Sequence, residues 1–269
     1  MSRLRRVLAE QGGGTMLGLG AYFYDPIFLE IAAKLGFRIA WFDLEHCLIT
    51  FSQAADLCRI ASGLGLLTMV RIPDTRRENV LKAAECGPDI IDVPMANSPE
   101  VLHELVRHAR FRPEGERGSF SSSRGSQYGL PASYAEEQQR INRDLCLMGQ
   151  VETVEAVERA DELCAVPGVD IFIGPLDLSA SLGVLGQTVH PKVMDACEKT
   201  IRSARKHGKL VAVAAPAADS SFWIKRADVF FCTNDISCLK AGAQAALRQA
   251  REVMAQSGQS CDPVGSPRT

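Results

Sequence analysis

One pattern recurs eight times along the chain and limits its fold more than any other feature. A short run of β-branched and large apolar residues is followed each time by an amphipathic helical stretch. The runs predict strands at 15–23, 38–45, 67–73, 90–96, 145–152, 169–174, 209–215 and 229–233. Helices are predicted from Asp25, Ser52, Arg76, Ser98, Thr153, His190, Ala218 and Ile236. Gly36, Gly65, Gly87, Gly168 and Gly208 stand where a helix must stop before the next strand. Eight such units in 269 residues suit a closed α/β barrel, a (β/α)8 TIM barrel of typically about 250 residues, better than an open doubly wound sheet. We therefore expect a single domain over 1–255 and a tail rich in Ser, Gly and Pro at 256–269. The rhythm breaks at 112–144, a long connection with two readings. It is a surface excursion, or its Arg117, Arg124 and Tyr128 face a substrate or a neighbouring subunit.

Composition narrows the function. A formal net charge of −2 and a pI near 6.2 speak against nucleic acid or a polybasic membrane surface as partner. The basic clusters Arg3, Arg5, Arg6 and Arg202, Arg205, Lys206 read as solvated helix faces. No glycine-rich dinucleotide fingerprint follows a strand, since Gly12, Gly13 and Gly14 precede the first one. Nine cysteines without a CxxC pair read as reduced, mainly buried thiols. No stretch reaches the ~18 apolar residues of a membrane span, so a cytoplasmic protein is expected.

In a barrel, chemistry gathers where strands end and the following loops begin. The second strand ends in Phe42-Asp43-Leu44-Glu45-His46, with Asp43 and Glu45 on one face and His46 beyond it. The third ends at Arg71, which needs anionic partners in an apolar run. Those partners are Asp43 or Glu45, a substrate oxyanion, or both. Gln150 and Glu152 share a face at the end of the fifth strand. After the sixth, Gly174 and Pro175 turn the chain into a short helix with Asp177 in its first turn. Each acid alone could be a cap. Two carboxylates at neighbouring strand ends, beside Arg71, favour a site for a hard divalent cation. Free N–H groups around Leu176 could receive a carboxylate beside it. Asp235 reads as the cap of the last helix or as support for the site, His190 as a cap or interface residue, and His103, His108 and His207 as surface.

Taken together, FDLEH at 42–46, VRIP at 70–73, VPMANSPE at 93–100, RPEGERG at 112–118, QVET at 150–153 and GPLDLSASLG at 174–183 resemble the HpcH/HpaI aldolase family of metal-dependent pyruvate aldolases. The resemblance runs from about Gly18 to Leu247 and implies a barrel of the phosphoenolpyruvate/pyruvate type. It implies Glu152 and Asp177 as metal ligands and Gln150, Gly174, Pro175 and Leu176 beside the 2-oxo acid. Arg71 would contact the pyruvate oxygen, and His46 would serve as acid–base with Asp43 orienting it. Glu45, Arg124 and Asp235 are supporting candidates, Arg117 or Arg124 serving if the aldehyde is acidic. Leu44 stands where the family commonly has Gly, which would narrow the pocket.

The implied reaction is reversible aldol cleavage of a 4-hydroxy-2-oxo acid to pyruvate and an aldehyde, through a metal-stabilised enolate. The implied cofactor is Mg2+ or Mn2+, with Co2+ or Zn2+ as alternatives, and the implied assembly is a homo-oligomer, a hexamer built as a trimer of dimers. No lysine stands at a strand end where a Schiff-base aldolase would need it. Oxaloacetate decarboxylation, acyl-CoA lyase chemistry and a non-catalytic 2-oxo-acid-binding barrel are the competing readings.

Overall fold

In the computed structural model, which describes residues 1–257, eight parallel strands close into one barrel in sequence order. They are β1 (Met16–Ala21), β2 (Ile39–Asp43), β3 (Leu67–Arg71), β4 (Ile90–Val93), β5 (Cys146–Val151), β6 (Val169–Ile173), β7 (Val211–Ala214) and β8 (Val229–Asn234). Each falls on its predicted run. The helices are α1 (Arg3–Glu10), α2 (Pro26–Leu35), α3 (Phe51–Gly63), α4 (Arg77–Glu85), α5 (Pro99–Ala109), α6 (Tyr134–Asp144), α7 (Val154–Glu158), α8 (Ala160–Ala165), α9 (Pro175–Ser181), α10 (Pro191–Lys206), α11 (Ser220–Trp223) and α12 (Asp235–Gln256). The tail expected at 256–269 lies, from residue 258 onward, outside the described residues.

Alternation along the strands sorts two apolar layers. Leu19, Phe42, Val70, Ile91, Leu147, Ile171, Val213 and Phe230 face outward into the jacket of helices. Met16, Ile39, Trp41, Met69, Ile90, Met148, Phe172 and Phe231 fill the barrel from within. Because both faces are covered, the strands read as nearly continuous apolar runs. Capping sets the helix starts: Asp25 accepts from the Ile27 N–H, Thr50 and Gln53 form a capping box, and Thr153 accepts from Ala156.

Four expectations are corrected here. The arginines before β1 stay partly exposed but are tied down by acids instead of forming a free solvated face. They sit on α1, which plugs the barrel floor with a fully buried Leu4. Arg3, Arg5 and Arg6 reach Asp89 at 2.6 Å, Asp170 at 2.5 Å and Asp144 at 2.9 Å. In the second cluster Arg205 pairs with Asp228 and Lys206 with Asp161, close to the surface as expected. The long connection is partly ordered, with a 3-10 turn at Arg124–Gly129 and then α6, whose polar sequence hid its period. The predicted helix from Ala218 shrinks to a 3-10 turn and the single turn of α11. His108 is buried rather than on the surface, with Nδ1 2.9 Å from the Thr75 carbonyl oxygen.

The last helix departs from the barrel pattern. Only Asp235 of α12 is buried, so the remaining 21 of its 22 residues do not pack into the core. Leu17 on the outer face of β1, and Ile27, Ile31 and Leu35 along one side of α2, are correspondingly exposed. No helix among the described residues is long and apolar enough to cross a membrane.

The floor plug generates a prediction. Leu4→Ala removes a fully buried side chain and should cost about 3 kcal/mol, lowering Tm by several degrees in calorimetry. An unchanged Tm would show that α1 does not close the floor.

Candidate active site

A cavity of about 770 Å³ opens at the C-terminal ends of the strands. Three rings on alternate strands form its base: Trp41 lies 5.3 Å from Phe172 and 5.5 Å from Phe231, and Phe172 lies 6.0 Å from Phe231, centroid to centroid. This apolar base displaces water and strengthens every charge interaction above it.

On one side of the mouth stands Arg71, paired in register with Asp43 across β2 and β3. Asp43 Oδ1 accepts from Nε at 2.8 Å and Oδ2 from Nη2 at 2.5 Å, a bidentate fork. Nη1 lies 3.0 Å from Glu45 Oε2 without hydrogen-bond alignment, and it donates to Gln150 Oε1 at 3.3 Å. The guanidinium also lies over Trp41, 4.8 Å from its centroid. Burial works against the Arg71 charge, but the Asp43 hydrogen bonds and charge outweigh it and raise the pKa. Burial likewise acts to raise Asp43, and the Arg71 hydrogen bonds hold that carboxyl below its ordinary range.

Asp43 does not orient His46 through its ring. Its Oδ1 accepts the backbone N–H groups of Glu45 at 2.9 Å and His46 at 3.4 Å, because the fork to Arg71 occupies the carboxylate. The imidazole is exposed at the rim, with Nε2 3.6 Å from Glu45 Oε2. Glu45, a supporting candidate from sequence, is thus the carboxylate that links Arg71 to His46. Leu44 points outward into the helix-facing core, so it does not narrow the pocket.

The opposite side of the mouth is anionic. Glu152 Oε1 accepts the Met95 N–H at 2.6 Å. Met95 adopts φ +52° to aim that N–H, which accounts for the turn in the VPMANSPE segment. The same turn is fastened by the Ala96 N–H on the Gln150 carbonyl oxygen at 3.0 Å and by Thr153 Oγ1 donating to Asn97 Oδ1 at 2.7 Å. Gly174 is required by close approach, since a Cβ there would lie 2.7 Å from Glu152 Oε2. Pro175 starts α9, Asp177 lies in its first turn, and Leu176 and Asp177 border the cavity. Ser179 ties the loop by donating to the Leu176 carbonyl oxygen and accepting from the Gly186 N–H.

These groups suit a divalent cation. The donors are all carboxylate oxygens, the set a hard ion takes. Burial, then the neighbouring Asp177 and Glu45 charges, push Glu152 up to about 7. Burial likewise raises Glu45. A desolvated anionic cluster of this kind is relieved by positive charge. Among the described residues no three His, Cys, Asp or Glu side chains gather into a full cage. Water and substrate would complete the sphere, as is usual for Mg2+.

Two candidates from sequence do not join the site as expected. Arg124 reaches the outer wall, donating to the Cys58 carbonyl oxygen at 3.3 Å and Ser62 Oγ at 3.0 Å near the C-terminal end of α3. Arg117 is buried against Glu85 at 3.0 Å and stacks on Phe111. Asp235 is not the helix cap: Asn234 is, accepting from Ser237 at 2.9 Å. Asp235 Oδ2 instead accepts the N–H groups of Tyr22 and Phe23 at 2.7 and 2.8 Å, bracing the loop after β1. His190 caps α10 as expected, its Nδ1 accepting from Lys192.

Asp92 escaped the sequence reading. It lies opposite Arg71 in the β3–β4 register, wholly buried, with neither carboxylate oxygen hydrogen-bonded. Burial pushes its pKa well above the ordinary carboxylate range. The argument that marks Arg71, a charge within an apolar strand run, applies equally to this acid and was the available signal.

Known proteins resemble this chain in sequence and fold. Residues 22–232 match the family model described as HpcH/HpaI aldolase/citrate lyase. The chain is 32% identical over 215 residues to a hydroxypyruvate/pyruvate aldolase of Roseobacter denitrificans, covering 79% of this chain and 82% of that protein. It is 28% identical over 231 residues to a 5-keto-4-deoxy-D-glucarate aldolase of Klebsiella pneumoniae, covering 85% and 89%. The crystal structure of an HpcH/HpaI aldolase from Desulfitobacterium hafniense superposes with a TM-score of 0.85 at 30% identity, covering 97% of this chain and 98% of that one. With the barrel closed in the same way and the family model spanning most of its length, the chain belongs to the HpcH/HpaI aldolase/citrate lyase family.

Proposed function

We propose that this pocket cleaves a 4-hydroxy-2-oxo acid reversibly into pyruvate and an aldehyde. The family makes the chain a carbon–carbon lyase. One observation carries the finer reading: a buried guanidinium, pre-oriented by Asp43, shares a cavity with the Glu152–Asp177 carboxylate pair. Such a site can hold a 2-oxo acid and accept negative charge on its C2 oxygen.

Glu152 and Asp177 would hold the cation, Mg2+ or Mn2+ by donor type, which when bound supplies Lewis acidity to the 2-oxo acid's oxygens. Arg71 sets fixed positive charge where the C2 oxygen becomes anionic as the C3–C4 bond breaks. Asp43, Glu45 and Gln150 keep the guanidinium from turning away. The N–H groups of Leu176 and Asp177, at the start of α9, suit the substrate carboxylate. His46 accepts the C4 hydroxyl proton at the rim, and Glu45 steadies the imidazolium that results.

The same reading extends to assembly, as a homo-oligomer on the hexamer plan the resemblance implies. The unpacked α12 exposes Leu239, Leu247 and Val253, while Leu17, Ile27, Ile31 and Leu35 lie bare on the barrel. Exchange of α12 between copies would cover both surfaces. The eight described cysteines are free thiols, which supports a reducing, cytoplasmic setting.

Arg71→Lys should lower kcat for pyruvate aldol addition roughly 10²–10³-fold while the protein stays folded, because an ammonium cannot reproduce the fork. Steady-state rates with saturating Mn2+ test this, and retention of near-wild-type kcat would remove Arg71 from the chemistry. Glu152 must lose its proton to bind metal. Apparent Mn2+ affinity should therefore weaken about tenfold per pH unit below 7 and level off above it, as read by titration calorimetry. A flat profile from pH 5 to 8 would exclude Glu152 as a ligand. Leu239→Glu with Leu247→Glu should shift sedimentation toward monomer, and an unchanged assembly would rule out α12 as its contact.

A further inference from the structure

Tyr22 carries an uncommitted hydroxyl into the pocket. The residue follows β1, and its ring folds back over Gly20. A Cβ at position 20 would lie 2.8 Å from Tyr22 Cε1 and 3.1 Å from its hydroxyl oxygen. Asp235 clamps the backbone beneath it through the N–H groups of Tyr22 and Phe23. The ring stands edge-on to Trp41, centroids 6.1 Å apart. Three separate devices therefore hold one phenol at the mouth, and among the described residues no protein group bonds to its hydroxyl.

Three of the other polar side chains lining the cavity are engaged, while Ser237, on α12, is a second hydroxyl there. Thr188 Oγ1 donates to Asp219, Thr233 Oγ1 faces Cys238 Sγ at 3.3 Å, and the Asn234 amide oxygen caps α12. Arg71 is the only Lys or Arg among the described residues lining the cavity, and Asp43, Glu45 and Gln150 hold it. Burial, reinforced by the Asp43 charge, pushes the Tyr22 phenol up to about 12, so it stays a neutral donor at working pH. A carboxylated aldehyde would find no uncommitted Lys or Arg among the described residues here. An oxygen acceptor on an uncharged chain would satisfy the phenol. His46 serves the carbonyl-derived oxygen, so the next oxygen along the aldehyde is its 2-hydroxyl.

We propose that Tyr22 is a specificity-determining residue that hydrogen-bonds the 2-hydroxyl of a small, uncharged 2-hydroxyaldehyde. This rests on the aldolase reading above. A site built around a hydrogen bond discriminates strongly against the analogue that lacks the partner.

The test compares kcat/KM for glycolaldehyde, acetaldehyde and succinic semialdehyde, each with pyruvate and Mn2+. The wild type should favour glycolaldehyde over both others by roughly tenfold or more. Tyr22→Phe removes the hydroxyl, and Gly20→Ala displaces the ring without removing it, since the phenol end can swing away from the new Cβ. Each variant should lose most of the glycolaldehyde-to-acetaldehyde ratio, chiefly through KM. Retention of the wild-type ratio by either variant, or wild-type preference for succinic semialdehyde, overturns the proposal. Pyruvate C3 proton exchange by the wild type separates the two levels: no exchange with any divalent metal would sink the aldolase reading itself.

Discussion

A guanidinium at the mouth of a barrel must be answered by anions, and this site is arranged around that demand. Arg71 is met on three of its nitrogens by Asp43, Glu45 and Gln150, which come from β2, the loop after it and β5. Removing one partner of such a buried pair typically costs about 3–5 kcal/mol, because the other charge is stranded. The network therefore joins neighbouring strand ends as firmly as it prepares the charge for chemistry. It also explains why Asp43 is unavailable to His46, whose ring turns to Glu45 instead.

The far side of the pocket is built on the opposite principle. Glu152 and Asp177 are brought near each other and near Glu45 with too little positive charge to balance them, and Glu152 is desolvated by its surroundings. A turn with positive φ at Met95 and the bare Cα of Gly174 make room for that carboxylate. One rim thus supplies fixed positive charge and the other a demand for it. A 2-oxo acid, with adjacent carboxylate and carbonyl oxygens, spans the two over an aromatic base.

Much of this was legible in the sequence because it depends on local rules. The two-residue period paired Asp43 with Glu45 and Gln150 with Glu152, the charge of Arg71 in an apolar run called for anions, and Gly174-Pro175 announced a helix start. What was hidden depends on partners far along the chain. Nothing near Arg5 announces Asp170, and nothing near Asp235 announces the Tyr22 N–H. Arg124 had the right charge for a substrate, but a carbonyl and a hydroxyl of α3 on the outer wall hold it instead. Asp92 was legible too, since a charge within an apolar strand run is the same signal as Arg71.

The floor plug has a consequence for biogenesis. Arg5 bonds to Asp170 and to the carbonyl of Gly208, 165 and 203 residues further along the chain. A ribosome delivers α1 before any strand of the barrel, yet these two bonds cannot both form until most of the barrel has been made. Until then the inner cluster that Leu4 joins lacks Leu210, Val229 and Phe231. A helix made before every strand of the barrel is thus among the last elements to dock completely, sealing the barrel at its base.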